Sequence, residues 1–570
     1  MEQKPSLSQY FGSSEVPPAS QFFDEIGTSP SDMIQSVYLG DSESVQTTTS
    51  NLFPQSMTAS FTQHRSDQDT VLTNILPTVS GSAAVSAASL PDPSTFFDNI
   101  GPEPPMGLVK PVVSTTNTIT EAIEGLAIKN QPVDKAADRR RDAWIPNDEA
   151  KKTLMKAQSS PTGAFFPERD ALTMPGLVLE DELPDQLHEV CVGYLGVGAA
   201  GRSGVWRADH VTADEAGLHT LVTSGCLRAA INLTATLITA AQQGRMHRPS
   251  KHSARTLQVW LTRFALMLRV RIHDALVSEA EAFGDFGKPD MYYQFYPESH
   301  GARSGSLVPF SLRLLVAELP SHVGKPEEAL DRLYAMLDVV QKMLSNLRAG
   351  RTEDGSDVIS CDDDRRESLA TWTARETRLR HSIVNCAIAM KEYRLASTVL
   401  TSLSTTASSP IHRRLYTSSL CRLWLQAGHV DNAAKYAELS AELQAMICVG
   451  ADVRDLVDRG LLLAARGDHQ QAYNHFASAA QHQPTNIMVA NNLSVCLLYM
   501  GKLNEAIQVL QKAINADPER GLNESLLLNL CTLYELESSK TQEKKINLLR
   551  MLCKYKSDTF PNVLECLKLS

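Results

Sequence analysis

The sequence has little of what marks secreted, membrane-spanning or nucleic-acid-binding proteins. Its first residues lack the basic start and apolar core of a signal peptide, and no stretch reaches the ~18 apolar residues that a membrane span needs. The longest basic run is Arg139-Arg140-Arg141, which is too short to bind a phosphate backbone. We therefore expect a cytoplasmic protein that is not an integral membrane protein and binds no nucleic acid.

Metal-binding and catalytic motifs are missing as well. All ten cysteines lie at or after Cys191, none forms a Cys-x-x-Cys pair, and several, such as Cys496 and Cys531, fall inside apolar helical patterns. The sequence has no His-Glu-x-x-His, no Gly-x-Ser-x-Gly and no phosphate loop ending in Gly-Lys-Ser/Thr. We expect reduced, buried thiols, no disulfide frame, no metal, no cofactor and no enzyme activity.

The first part of the chain predicts a disordered tail. Residues 1–135 are rich in Ser, Thr, Pro and Gln and show no sustained helical or strand periodicity. Within 1–130 there are 4 Lys and Arg against 14 Asp and Glu, so this segment carries nearly all of the formal net charge of −11. Such a chain cannot bury enough apolar area to offset its entropy.

One motif occurs twice in this tail. Phe22-Phe23-Asp24 recurs as Phe96-Phe97-Asp98, each copy being preceded by Pro and Ser. Paired aromatics beside an acidic residue suit a short docking motif that orders on a partner, and duplication would raise avidity. The alternatives are chance retention in a biased segment and a divergent form of the motif that binds receptors of the endoplasmic reticulum.

The rest of the chain predicts an all-α protein. No alternating strand runs occur, and helical segments are expected at about 183–195, 213–224, 227–242, 254–268, 271–283, 309–318 and 326–348. We divide the chain into a tail (1–135), a linker with a short helical segment containing Trp144 (136–181), an irregular helical-hairpin region (182–349), a mobile loop (350–367), a tetratricopeptide-repeat domain (368–560) and a C-terminal tail (561–570). The predicted fold is a tetratricopeptide-like α-solenoid of stacked helical hairpins.

The strongest signal is self-similarity at a period of 34 residues, which is the length of a tetratricopeptide unit. The positions of one unit that recur in the next are Gly460, Leu463, Gly467, Ala472, Phe476, Ala479 and Pro484, matched by Ser494, Leu497, Gly501, Ala506, Leu510, Ala513 and Pro518. Small residues let two helices approach closely, large apolar residues fill the space between them, and Gly and Pro end the helices. Stacked units of this kind bury a continuous core and present a curved groove.

Two other functions are open at this point. Gly196-Val197-Gly198-Ala199-Ala200-Gly201 matches the dinucleotide pattern Gly-x-Gly-x-x-Gly, but no parallel strands accompany it, so a flexible loop is the better interpretation. A chaperone adaptor would clamp the C-terminal carboxylate of a peptide, and Asn492 stands at one clamp position. Val457 and Leu461 stand where such a clamp needs Lys and Asn.

Particular strings outside the repeat pattern resemble a known family. They are Asp142-Ala143-Trp144, Pro289-Asp290, Tyr292-Tyr293, Tyr296-Pro297, Val308-Pro309-Phe310-Ser311, Ala317-Glu318-Leu319-Pro320, Asn491-Asn492, Val495 to Leu503, Tyr534 to Ser539 and Cys566-Leu567-Lys568-Leu569. Over roughly 142–570 the chain resembles the subunit 12 family of the trafficking protein particle (TRAPP) complex, the tetratricopeptide-repeat subunit of TRAPP III.

The resemblance implies a non-enzymatic scaffold in a membrane-tethering complex of endoplasmic reticulum to Golgi transport and autophagy. The implied partners are other TRAPP subunits and, indirectly, Rab-family GTPases and vesicle membranes. The implied location is cytoplasmic, peripheral to the endoplasmic reticulum-Golgi intermediate compartment and the Golgi. The nucleotide-exchange chemistry of such a complex would belong to its small core subunits.

Overall fold

The computed structural model describes residues 135–160, 165, 167–179, 181–198, 200–202, 205–301, 303–359, 361–447, 452–537, 540–560 and 563–569. Across these residues the protein is built from α-helices and short 3-10 turns without a β-strand, apart from two isolated bridges, Tyr292–Ser306 and Arg351–Val358. The predicted all-α class is therefore confirmed for the described part. The predicted tail and its two Phe-Phe-Asp motifs lie outside the described residues.

The helices of the first half are α1 Lys135–Asp142, α2 Asp148–Ser159, α3 Gln186–Leu195, α4 Glu215–Thr223, α5 Leu227–Ala240, α6 Ala254–Arg269, α7 His273–Phe283, α8 Pro297–His300, α9 Phe310–His322 and α10 Pro326–Arg348. Those of the second half are α11 Asp362–Ala389, α12 Tyr393–Thr406, α13 Pro410–Gln426, α14 Val430–Ile447, α15 Val453–Ala465, α16 His469–His482, α17 Ile487–Tyr499, α18 Leu503–Ala516, α19 Pro518–Gly521, α20 Glu524–Glu537, α21 Thr541–Tyr555 and α22 Val563–Leu567.

Local chemistry starts many of these helices where the sequence predicts. Asn147 caps α2 by accepting a hydrogen bond from the backbone N–H of Ala150 at 2.8 Å. Ser253 and Thr256 form a capping box on α6. Pro326 and Pro410 are the first residues of α10 and α13. Proline has no backbone N–H, but an N–H at this position has no acceptor within the helix, so no hydrogen bond is lost.

From α9 to α21 the helices pair into antiparallel hairpins, and each hairpin packs on the next. This arrangement is a solenoid, in which each hairpin covers the apolar face left by its neighbour. The hairpins α15–α16 and α17–α18 are the two regular repeat units. The irregular hairpins α4–α5 and α6–α7 share one apolar cluster centred on Trp260, Phe264 and Phe283.

The segment that the sequence predicts as a linker, 136–181, instead holds two packed helices. Arg140 on α1 pairs with Asp364 at 2.8 Å and Glu367 at 2.6 Å on α11. Between α1 and α2, Trp144 lies under the guanidinium of Arg313, 4.6 Å from its ring centroid, and 6.5 Å from the ring of Trp372. We call residues 135–159 the strap, because they bind the first-half hairpins to α11.

Two other predicted boundaries differ from the structure. Helix α11 begins at Asp362, inside the predicted loop 350–367. Three aspartates fill its first turn, and negative charge is favoured at a helix N-terminus. In the predicted C-terminal tail 561–570, α22 is packed on α20, and the buried side chains there are Val563, Cys566, Leu567 and Leu569.

The two ends of the stack contact each other. Helix α3 lies early in the chain, but it packs against α21 and α22. Its Leu187 and Cys191 belong to the same apolar cluster as Leu549, Leu552 and Leu567. The C-terminal residues 557–559 then reach the start of α5. The helical stack is therefore closed on itself.

Candidate protein-interaction surface

The seven paired repeat positions lie either between the two helices of each hairpin or at the ends of those helices. A Cβ on Gly460 would stand 2.7 Å from the Phe476 ring, so only glycine allows α15 to approach α16 this closely. Ala472, Phe476 and Ala479 are buried, whereas Leu463 is half-buried and Pro484, after α16, is exposed. Gly467 ends α15 with φ +82°, in the left-handed region that favours glycine.

The second unit repeats this arrangement with a polar addition. Ser494 on α17 donates its hydroxyl to the carbonyl oxygen of Ala506 on α18 at 3.0 Å. Leu497, Ala506 and Leu510 are buried, and Gly501 follows α17 with φ +76°. Ala513 and Pro518 are half-buried, and Pro518 opens the short helix α19.

Asn492, the residue at the clamp position, is only 7% exposed. Its amide Nδ2 lies 3.0 Å from the sulfur of Met488, one turn earlier on α17. Val457 is buried and Leu461 is half-buried in the neighbouring α15. The structure therefore brings no cation to Asn492 at these two positions, and the amide is turned towards its own helix.

Buried ion pairs join the first helices of successive hairpins. Arg422 on α13 donates from Nε to Oδ1 of Asp458 on α15 at 2.7 Å, and the Ser418 hydroxyl donates to Oδ2 of the same carboxylate at 2.5 Å. One turn away, Arg414 bonds Asp455 at 3.1 Å and also contacts Asp452. Sequence reasoning missed these pairs, because their spacing of 36 to 41 residues matches neither a helical turn nor the 34-residue repeat.

Burial also shifts the pKa values of several groups inside the stack. Burial raises the pKa of Glu318 on α9 to about 7, although the hydrogen bond with Ser382 and the charge of Arg378 act in the opposite direction. Burial raises the pKa of the Cys496 thiol to about 12. Nine cysteines of the described part are free thiols, and all except Cys361 are buried, so they are poor nucleophiles.

Large apolar side chains are exposed in two groups. The first is on one hairpin edge, where Ile411 of α13 and Leu439 and Met446 of α14 are exposed. The second is beside the closure, where Tyr194, Val197 and Leu564 are exposed on α3, the loop after it and α22. Tyr194 also donates its hydroxyl to the carbonyl oxygen of Leu569 at 2.9 Å. Exposed apolar groups of this kind are typical of protein-binding surfaces.

Two other features of the sequence have no reactive counterpart in the described residues. In the Gly-x-Gly-x-x-Gly string, Gly196 caps the end of α3, and the other described residues, Val197, Gly198, Ala200 and Gly201, lie in neither a helix nor a strand. Within the ranges given above, no group of three or more His, Cys, Asp or Glu side chains could hold a metal ion. Among the helices described, none is long and apolar enough to cross a membrane.

Comparison with known proteins finds relatives in the family that the sequence strings resemble. A tetratricopeptide repeat model matches residues 463–528. Trafficking protein particle complex subunit 12 of Mus musculus is 35% identical over 436 residues, which are 76% of this chain and 54% of the mouse protein. The Homo sapiens protein of the same name is 34% identical over 76% of this chain and 59% of its own length.

The chain thus spans between half and two thirds of the length of these two relatives. Among solved structures, a tetratricopeptide repeat protein from Parabacteroides merdae is similar at 12% identity, with 55% of this chain and 98% of that chain covered and a TM-score of 0.30. The 76% of the chain that aligns is homologous to trafficking protein particle complex subunit 12 of mouse and human.

Proposed function

We propose that this protein is a non-enzymatic scaffold subunit of a TRAPP-type membrane-tethering complex. The observation that carries the proposal is the identity of about 35% to subunit 12 over three quarters of the chain. We place its action in endoplasmic reticulum to Golgi transport and in autophagy. Its location would be cytoplasmic and peripheral to the intermediate compartment and the Golgi.

The packing of the stack suits a scaffold. The buried Arg422–Asp458 pair ties neighbouring hairpins together, and the strap ties the first-half hairpins to α11. A surface that holds its shape loses little conformational entropy when a partner docks on it. Direct partners would be other TRAPP subunits, while Rab-family GTPases and vesicle membranes would be reached through the complex.

The test is affinity purification of the tagged full chain from cells, followed by identification of the proteins recovered with it. We expect TRAPP core subunits in stoichiometric amounts. Recovery of chaperones without any TRAPP subunit would contradict the proposal. Binding of an acidic C-terminal peptide that weakens on Asn492→Ala would support a chaperone adaptor instead, and thermal stabilisation by saturating dinucleotide would support a nucleotide-binding enzyme.

Two surface variants locate the contact within the same experiment. Ile411→Asp with Met446→Asp places charge on the hairpin edge, and Val197→Asp with Leu564→Asp places it beside the closure. Val358→Asp is the matched control, because Val358 is equally exposed but lies in the loop between α10 and α11. We expect one of the two double variants to lose TRAPP subunits by at least tenfold while the control retains them. Equal retention by all three would show that neither surface is used.

A further inference from the structure

The closure of the stack is a polar seam between two apolar cores. On one side, the hairpins α4–α5 and α6–α7 share the cluster around Trp260. On the other side, α3 joins α20, α21 and α22 in a separate cluster. The contacts described below, which cross between the two sides, are hydrogen bonds and ion pairs. An interface of this kind separates at a lower free-energy cost than an apolar core does.

Residues 557–559 supply the N-terminal cap that α5 lacks. Cys226, at the cap position of α5, makes no side-chain capping bond. Instead Asp558 Oδ2 accepts from the backbone N–H of Ala229 at 3.0 Å, and Thr559 Oγ1 lies 3.4 Å from the N–H of Leu227. The first N–H groups of a helix have no partner within the helix, so a capping oxygen satisfies them. Here that oxygen comes from the other end of the chain.

A glycine completes this contact. The carbonyl oxygen of Gly225 accepts from the hydroxyls of Ser557 at 2.7 Å and Thr559 at 2.5 Å. Gly225 has φ +76°, and a Cβ there would stand 2.9 Å from the Ser557 hydroxyl oxygen. The absence of a Cβ at Gly225 therefore leaves room for the Ser557 hydroxyl beside this carbonyl.

Further polar contacts lie along the same seam. Arg202, in the loop after α3, contacts Asp185 and the carbonyl oxygen of Lys556. Arg228 on α5 donates to Gln186 Oε1 at 2.7 Å. The half-buried pair between Arg271 and Glu524 is 3.1 Å long, and such a pair contributes little stability.

The covalent connection across the seam is glycine-rich. The chain passes from α3 to α4 through Gly196, Gly198, Gly201 and Gly204. A Cβ at Gly196, Gly198 or Gly201 would meet nothing within 4 Å, whereas Ala200 is fully buried in the C-terminal cluster. The string that resembles a dinucleotide motif thus belongs to the connection between the two sides of the seam.

We propose that residues 556–560 form a releasable clasp, and that the closed stack opens at the seam between α5 and the C-terminal core. In the open state α3 stays with α21 and α22. Opening exposes the N-terminus of α5, where Cys226 lies. The clasp is a conformational device of the fold and does not depend on the proposed partners.

The test uses native cysteines of the full chain as reporters. Cys226, at the cap position of α5, is buried at the seam, whereas Cys386 and Cys421 are buried in α11 and α13. A maleimide reacts with a buried thiol only when the structure around it opens, so its labelling rate reports the open population. Labelling at each cysteine is followed by mass spectrometry.

We expect Asp558→Ala to raise the labelling rate of Cys226 about five- to tenfold, because loss of a capping carboxylate shifts an equilibrium by roughly that factor. Asp558→Asn retains a capping oxygen and should label as the wild type does. The matched control is Asp468→Ala, which removes a carboxylate cap from α16, where Asp468 accepts from the backbone N–H of Gln471. It should leave the labelling rate of Cys226 unchanged.

Two results would overturn the clasp. One is a wild-type labelling rate at Cys226 in Asp558→Ala. The other is an equal rise at Cys386 and Cys421, since that would show global unfolding instead of opening at the seam.

Discussion

At the scale of single residues, close packing decides which substitutions the stack tolerates. Gly460 lies against the Phe476 ring, and Gly193 on α3 faces open space. Gly460→Ala should destabilise the protein by about 1–3 kcal/mol, because the ring must move to admit a methyl group. Gly193→Ala should be neutral or slightly stabilising, since alanine favours a helix more than glycine does. Apparent unfolding midpoints in urea compare the two, and equal midpoints would contradict the packing argument.

The buried pair of Arg422 and Asp458 gives a second prediction. Both side chains are at most 2% exposed. Arg422→Met should cost about 3–5 kcal/mol, because it removes a hydrogen-bonded positive charge from the buried Asp458 carboxylate. The double variant Arg422→Met with Asp458→Leu should recover much of that loss, since both members of the pair are then apolar. Urea unfolding of all three proteins measures this, and an additive loss in the double variant would show that the pair is not coupled.

His252 gives a prediction about pH. It is buried against Thr173, with Nε2 2.7 Å from the hydroxyl, and near Asp290, Gln243 and Tyr296. Burial lowers the pKa of His252 to about 4, below its ordinary value of 6.5. The unfolded chain therefore binds the proton first, so the contribution of His252 is fully present above pH 6.5 and is lost as the pH falls towards 4.

The comparison with His252→Gln isolates this effect from other titrating groups. The difference in free energy of unfolding between wild type and variant should shrink by about 3 kcal/mol between pH 6.5 and pH 4. Urea unfolding followed by intrinsic tryptophan fluorescence, to which the neighbouring Trp260 contributes, provides the measurement. A difference that stays constant with pH would mean that His252 is not held neutral.

At the scale of elements, the strap is held by few but well-placed contacts. Trp144 is enclosed by Arg313 and Trp372, and Arg375 covers the other ring at 4.4 Å. Trp144→Ala should cost about 3 kcal/mol and speed amide exchange in both α1 and the start of α11. Met155→Ala on α2 is the control, because Met155 is exposed. Unchanged exchange in α1 after loss of Trp144 would show that the ion pairs of Arg140 alone hold the strap.

Helices with local signals could be predicted from the sequence, and elements held by distant contacts could not. The 34-residue repeat predicts α15 to α18, and the capping residue Asn147 predicts α2. In both cases the residues that carry the signal lie within the helices or directly beside them. The packing of α22 depends on α20, and its five residues are too few for a helical period to be recognised. The Gly-x-Gly-x-x-Gly string gave no clue to its place beside the seam.

At the scale of the whole molecule, the sequence predicts a solenoid of stacked helical hairpins followed by a C-terminal tail, whereas the structure is a closed stack. The bonds made by the clasp residues join positions more than 300 residues apart, such as Gly225 with Ser557. No periodicity connects residues at such a separation. The same holds for the candidate site. The repeat positions could be predicted from their spacing in the sequence, whereas the contact between Arg422 and Asp458 could not.

Closure is the central claim, and an engineered disulfide tests it most directly. The position of a Cβ on Gly225 is 3.5 Å from the Cβ of Ser557, within the range that a disulfide spans. The double variant Gly225→Cys with Ser557→Cys should therefore form an intramolecular disulfide on mild oxidation. It should migrate faster than the single variants on a non-reducing gel, and peptide mapping should identify the 225–557 link. A closed stack predicts near-complete cross-linking, whereas two thiols that stay free and react fully with maleimide would contradict it.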